Sequence, residues 1–167
     1  MACKDKDDWF FYGTVEKMLD EFTSQFTKKP IPYIKIGTRF FLENKQLQPL
    51  LLSKGTLELF GYFLGEIKKK QFFPSFNLLD LLSEISDESV IVNEWGEIDF
   101  LYGKHLRKRH IIDIQGSLEK DCLKLVKNQF DETLGYGRFL GFSEKKAQIV
   151  KHVLDRGVFI KRDKHQG

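Results

Sequence analysis

Apolar positions change period several times along the chain, and each change marks an element. Val15, Met18, Leu19, Phe22 and Phe26 recur at helical spacing on one face. Thr14 can cap that helix, and Lys28-Lys29-Pro30-Ile31-Pro32 ends it, because proline cannot continue the hydrogen-bond ladder. Tyr33-Ile34-Lys35-Ile36 and Arg39-Phe40-Phe41-Leu42, separated by Gly37-Thr38, predict a hairpin. A short helix is expected around Leu47, Leu50 and Leu51, with Pro49 in its first turn or as a kink. Residues 56–67 are rich in Leu, Phe and Tyr, with Gly61 and Gly65 interrupting, and predict a long strand with a bulge. Lys68-Lys69-Lys70 makes a turn, and residues 71–76 return as a strand that Pro74 places at a sheet edge. Asn77 is expected to cap a helix over residues 78–85, with Asp80 at its third position to reciprocate.

Ser86-Asp87-Glu88-Ser89 is short and polar, and it separates an N-terminal part, residues 1–88, from a C-terminal part, residues 89–167. In the second part short strands are expected at residues 90–92, 111–114, 123–126, 139–142 and 149–153, with one helix starting after Gly103. Five or more short strands and one helix in so few residues predict a small β-barrel. The fold class is therefore α+β: an N-terminal α/β domain with an antiparallel sheet and flanking helices, followed by the barrel.

Composition adds that core volume comes from large residues. Phenylalanine occurs 16 times, whereas alanine stands only at positions 2 and 147, which suits pleated sheets better than tight helix bundles. The net charge of +3 is too mild to imply a partner, but its distribution is uneven. Residues 1–88 carry 12 Lys and Arg against 13 Asp and Glu, and residues 89–167 carry 15 against 11. The basic excess of the second part is what a polyanion partner would select. Cys3 and Cys122 give no disulfide framework. No run of about 18 apolar residues predicts a membrane span. The charged N-terminus lacks a secretory pattern, so a cytoplasmic location is expected, nuclear or nucleolar in a eukaryote.

The chemistry is concentrated in Phe100-Leu101-Tyr102-Gly103-Lys104-His105-Leu106-Arg107-Lys108-Arg109-His110. Gly103 would let a phosphodiester approach the backbone, with the first-turn N–H groups of a following helix facing it. Lys104, Arg107, Lys108 and Arg109 would neutralise neighbouring phosphates. On charge alone the same residues serve equally well as a solvated helix face. A second basic stretch holds Arg156, Lys161, Arg162 and Lys164, and alone it reads as a solubilising tail. Gly135-Tyr136-Gly137-Arg138-Phe139-Leu140-Gly141 fails as a dinucleotide fingerprint, because Leu140 stands where the third glycine belongs. It reads as a β-turn with close backbone packing, from which Tyr136 and Arg138 would meet RNA if they face outward. His105, His110, His152 and His165 show no metal-ligand spacing with cysteine, and no nucleophile elbow is present. No catalytic activity, cofactor or metal is expected, and Cys122 reads as an inert buried thiol.

Phe100-Leu101-Tyr102-Gly103-x-His105-Leu106-x-Lys108, Leu134-Gly135-Tyr136-Gly137 and Val153-x-Asp155-x-Gly157-x-Phe159-Ile160-Lys161 resemble the PUA domain. With Phe60-Gly61-x-Phe63, the basic turn at residues 68–70 and the helix at residues 78–85, nearly the whole chain resembles the nuclear import protein seven family, in an archaeal form. Lys104 stands where that family usually has Asn, and Val158 where it usually has Glu. The resemblance implies a non-catalytic factor of large-subunit ribosome assembly and pre-rRNA processing. Ribosomal RNA or its precursor would be bound near Gly103, Lys104, His105, Arg107 and Lys108, with Lys161, Arg162 and Lys164 extending the surface and Arg138 and Arg156 nearby. Pre-ribosomal proteins would bind the N-terminal domain, and the free chain would be a monomer. An RNA-targeting subunit of a modifying enzyme, or a protein–protein adaptor, are the alternative readings.

Overall fold

The computed structural model describes residues 17–43, 61–143 and 147–157. The chain divides into two compact units between Leu82 and Ser83.

In the N-terminal unit, α1 (Met18–Thr23) buries Met18, Leu19 and Phe22 on the expected face, and Phe26 follows in a turn. The expected cap Thr14 and its neighbour Val15 lie outside the described residues, as does the expected helix around Leu47. The helix packs on a four-stranded antiparallel sheet through aromatic contacts. The Phe22 ring lies 5.5 Å from Phe72, and Phe72 meets Phe40 edge-on at 5.6 Å. Strands β1 (Tyr33–Ile36) and β2 (Arg39–Leu42) form the hairpin that the sequence predicts, and β3 (Phe63–Lys68) and β4 (Gln71–Pro74) complete the order β1-β2-β3-β4. Phe40 pairs with Gly65 and Phe41 with Phe63, so Leu64 is the extra residue of a bulge. Pro74 ends the edge strand, where its missing N–H leaves no ladder bond unmade. The turn joining β3 to β4 places Lys69 and Lys70 at φ 48° and 62°. This is the geometry of a two-residue I′ hairpin, which favours Asn-Gly and costs a lysine about 1 kcal/mol or more per position.

Helix α2 (Phe76–Ile85) starts two residues earlier than the sequence suggests. Its cap is Ser75, whose Oγ accepts the Leu78 N–H at 3.1 Å, and not Asn77, which lies exposed in the first turn. Ser75 wins because its hydroxyl also donates to the Phe63 carbonyl at 2.6 Å, tying the helix start to β3.

The C-terminal unit is built on β5 (Ser89–Val92), α3 (Glu94–Leu101), β6 (Leu106–Arg107), a 3-10 turn (Lys108–His110), β7 (Ile111–Ile114), β8 (Leu123–Lys127), β9 (Thr133–Phe139) and β10 (Gln148–Asp155). The sheet order is β6-β10-β9-β8-β5-β7, with β5 parallel to β8 and the other pairs antiparallel. The two edge strands, β6 and β7, are joined by only the three residues of the 3-10 turn. Three residues span at most about 10 Å, so the sheet has to curl until its edges nearly meet. Val90, Val92, Phe100, Leu106, Val126, Leu134, Phe139, Ile149 and Val150 fill the interior.

Three further expectations are corrected. Residues 135–137 are not a turn, and residues 139–142 are not the strand: Gly135 to Phe139 lie within β9. A Cβ on Gly135 would stand 1.9 Å from the Leu154 carbonyl oxygen, so glycine is required by the close passage of β10. The helix also precedes Gly103 instead of following it. Asn93 caps α3 by accepting the Gly96 N–H at 2.9 Å, with Glu94 and Glu97 in the first turn. At the other end the Gly103 N–H donates to Phe100 O and the Lys104 N–H to Asp99 O, both at 2.9 Å, with Gly103 at φ +80°. That pair of bonds is a Schellman motif.

Candidate nucleic-acid interface

The Schellman motif changes the chemistry expected at Gly103. Its N–H groups close the helix behind it, and no helix N-terminus faces outward for a phosphate there. Lys104 is exposed, but its Nζ donates to Asp99 Oδ1 at 2.8 Å. That bond is the main reason the Asp99 carboxyl sits below its ordinary range. His105 is half-buried and its Nδ1 accepts the His152 N–H at 3.1 Å, fixing β6 against β10. Burial, then the neighbouring His152 and Lys151, lowers its basicity.

The exposed cations lie one step further on. Arg107, Lys108 and Arg109 project from the barrel seam, all three exposed. Beneath them the backbone is clamped. Asn93 Nδ2 donates to Arg109 O at 2.8 Å, and the Asn93 N–H donates to His110 O at 2.9 Å. His110 is 1% exposed, and its Nδ1 accepts the Arg107 N–H at 3.2 Å. On the other side of the ring, Nε2 lies 3.2 Å from Arg109 Nε, which donates to it, and 3.5 Å from Asp99 Oδ2. Burial lowers the His110 pKa; Asp99 opposes this, and Arg109, Arg107 and Lys104 add to it. Gly96 completes the fit, since a Cβ there would stand 2.9 Å from His110 Cβ. The basic turn is thus held rigid from below by a neutral histidine and an asparagine.

Lys104, His105, Arg107, Lys108 and Arg109 are brought together, and the structure adds Lys151. Lys151 is exposed on β10, close enough to His105 to affect its titration, and no motif in the sequence marks it. Arg138 is the cross-strand partner of Lys151, but it is half-buried with its guanidinium 4.0 Å from Asp121. Tyr136 does not face outward; it is buried, which pushes its hydroxyl pKa up. Arg156 lies apart, six residues along the chain from Val150, the nearer of the two β10 residues that pair with β6, or roughly 20 Å along a strand. Its Nε donates to the Thr133 carbonyl at 2.7 Å, which ties it to β9. Lys161, Arg162 and Lys164 lie outside the described residues. Cys122 is half-buried, with its thiol donating to Ser117 O at 3.6 Å.

Comparison with known proteins agrees with this architecture. Residues 88–164 match the family model described as the UPF0113 PUA domain. The curated proteins give no match. A PUA-domain protein of Thermoplasma acidophilum is similar at 16% identity and a TM-score of 0.54, over 89% of this chain and 93% of that one. A hypothetical protein of the archaeon Pyrococcus horikoshii OT3 is similar at 15% identity and a TM-score of 0.50, over 84% and 89% of the two chains. A PUA domain from Aeropyrum pernix K1, solved as a tartrate complex, is 14% identical with a TM-score of 0.44, over 52% of this chain and about half (53%) of that one. The C-terminal unit therefore has a PUA-type fold over the residues that the family model matches.

Proposed function

We propose that this protein binds RNA through the basic turn of its PUA barrel, without catalysing a reaction on it. The observation that carries the reading is the turn itself. Arg107, Lys108 and Arg109 are exposed on a backbone already fixed by Asn93 and His110, so little conformational entropy is lost when phosphates dock. Contacts of this kind read backbone shape and charge more than base sequence. Lys151 extends the surface across β10. The resemblance to the nuclear import protein seven family supports a place in large-subunit ribosome assembly, with ribosomal RNA or its precursor as the ligand. On the same ground the N-terminal unit would meet pre-ribosomal proteins.

The test is fluorescence anisotropy with single-stranded and ribosomal RNA fragments across a salt series. Lys108→Ala with Arg109→Ala should weaken binding at least tenfold and lower the salt slope by about 1.4, or about 0.7 per lost phosphate contact on single strands. The single variant Lys108→Ala should leave the thermal melt unmoved, because that side chain is exposed, whereas Arg109→Ala also removes the bond from Arg109 Nε to His110 Nε2 and should lower it slightly. Unchanged affinity in a folded double variant would overturn the assignment. Co-sedimentation with large-subunit precursors separates the ribosomal role from general RNA binding: a chain that binds RNA but stays off those particles acts elsewhere.

A further inference from the structure

The N-terminal part is nearly neutral as a sequence, yet its cations are not evenly placed. Strand β2 begins at Arg39, which pairs with Glu66 on β3, and β3 ends two residues later at Lys68. The β1–β2 turn and the β3–β4 turn therefore lie at the same end of the sheet. The Ile67 N–H donates to the Thr38 carbonyl at 2.8 Å and joins them. Arg39, Lys68, Lys69 and Lys70 are all exposed at that end. Glu66 is the one acid in the paired strand ends there, and it forms an ion pair with Lys68. Among the described residues, no carboxylate lies within ion-pair distance of Lys69 or Lys70.

The second observation is backbone conformation. Lys69 and Lys70 both hold positive φ, in a turn for which Asn-Gly is the relaxed solution. Two lysines sit where the fold disfavours them, and strain of this kind concentrates at functional positions. The I′ geometry aims consecutive ammonium groups outward from one tip. With Arg39 two strands away, the cations span about 10 Å, room for about two adjacent phosphates of one strand.

We propose that this turn end of the N-terminal sheet is a second phosphate-contacting surface, which engages the RNA backbone independently of the PUA barrel. The proposal takes from the functional reading only that the polyanion is RNA. The contact is electrostatic and blind to sequence. It adds affinity on long RNA and contributes strongly to salt dependence.

The experiment uses the full chain with Lys69→Asn and Lys70→Gly, beside the barrel variant Lys108→Ala with Arg109→Ala. The turn variant removes two charges and relaxes the backbone, so it should melt at a higher temperature than wild type. Its affinity for a long ribosomal RNA fragment should fall five- to tenfold, with a salt slope lower by about 1.4. Weaker binding in a more stable protein excludes unfolding as the cause. Unchanged affinity and slope in the turn variant, with a weakened barrel variant, would overturn the second surface and leave the barrel reading intact. A weakened turn variant beside an unchanged barrel variant would support the second surface and overturn the barrel site. A wild-type chain that binds no RNA at low salt would overturn both.

Discussion

His110 shows how one buried side chain sets the surface above it. Its ring is neutral because burial disfavours the charged form, and because the Arg107 N–H occupies Nδ1. With the folded pKa below the unfolded value of about 6.5, the unfolded chain takes up the proton first as pH falls. The stability tied to His110 is present above about pH 6.5 and is lost below it, and His105, lowered for the same main reason, adds to the trend. Urea titrations at pH 7.5 and 5.5 should show wild type losing stability on acidification and His110→Gln losing less of it. Equal losses would mean that another group carries the effect. Asn93 is the companion test. Asn93→Ala removes the α3 cap and the Arg109 clamp together and should cost about 2 kcal/mol by denaturant titration.

At the level of elements, the decisive features are where helices stop and where strands touch. Ser75 and Asn77 are both good capping residues two positions apart, and only the Ser75 bond to β3 separates them. Ser75→Ala should destabilise the chain by about 1 kcal/mol, whereas Asn77→Ala should leave the melt within about 0.5 kcal/mol of wild type. Within the barrel, Gly135 is the tightest position of β9. Gly135→Ala would push a methyl into the Leu154 carbonyl of β10 and should cost about 3 kcal/mol or more, enough to lower soluble yield visibly. A melt unchanged by that substitution would refute the close β9–β10 packing.

At the scale of the molecule, charge is organised by tertiary placement. The formal balance of the first 88 residues is close to neutral, yet the sheet gathers four of their cations at one end. The barrel seam does the same for Arg107, Lys108 and Arg109, because three residues must bridge the sheet's two edges. Some of this was legible beforehand. The β1–β2 hairpin, the edge position of Pro74, the strand Ile111–Ile114 and the α+β class with a C-terminal barrel follow from period-two patterning and turn residues. The position of α3 was open to reading from Asn93 and Gly103 as its cap and stop, but the basic run after Gly103 drew the helix to the wrong side of that glycine. Lys104 and Arg156 looked like phosphate ligands because a sequence shows charge and not the Asp99 and Thr133 partners that engage it. The sequence alone determined the type of the elements just named, the basic bias of the second half and the PUA resemblance, since these rest on local periodicity and composition. Only the tertiary structure decided which glycines turn and which admit a neighbouring strand, which cations stay exposed, and which turns share one end of a sheet, because each depends on contacts between residues far apart in the chain.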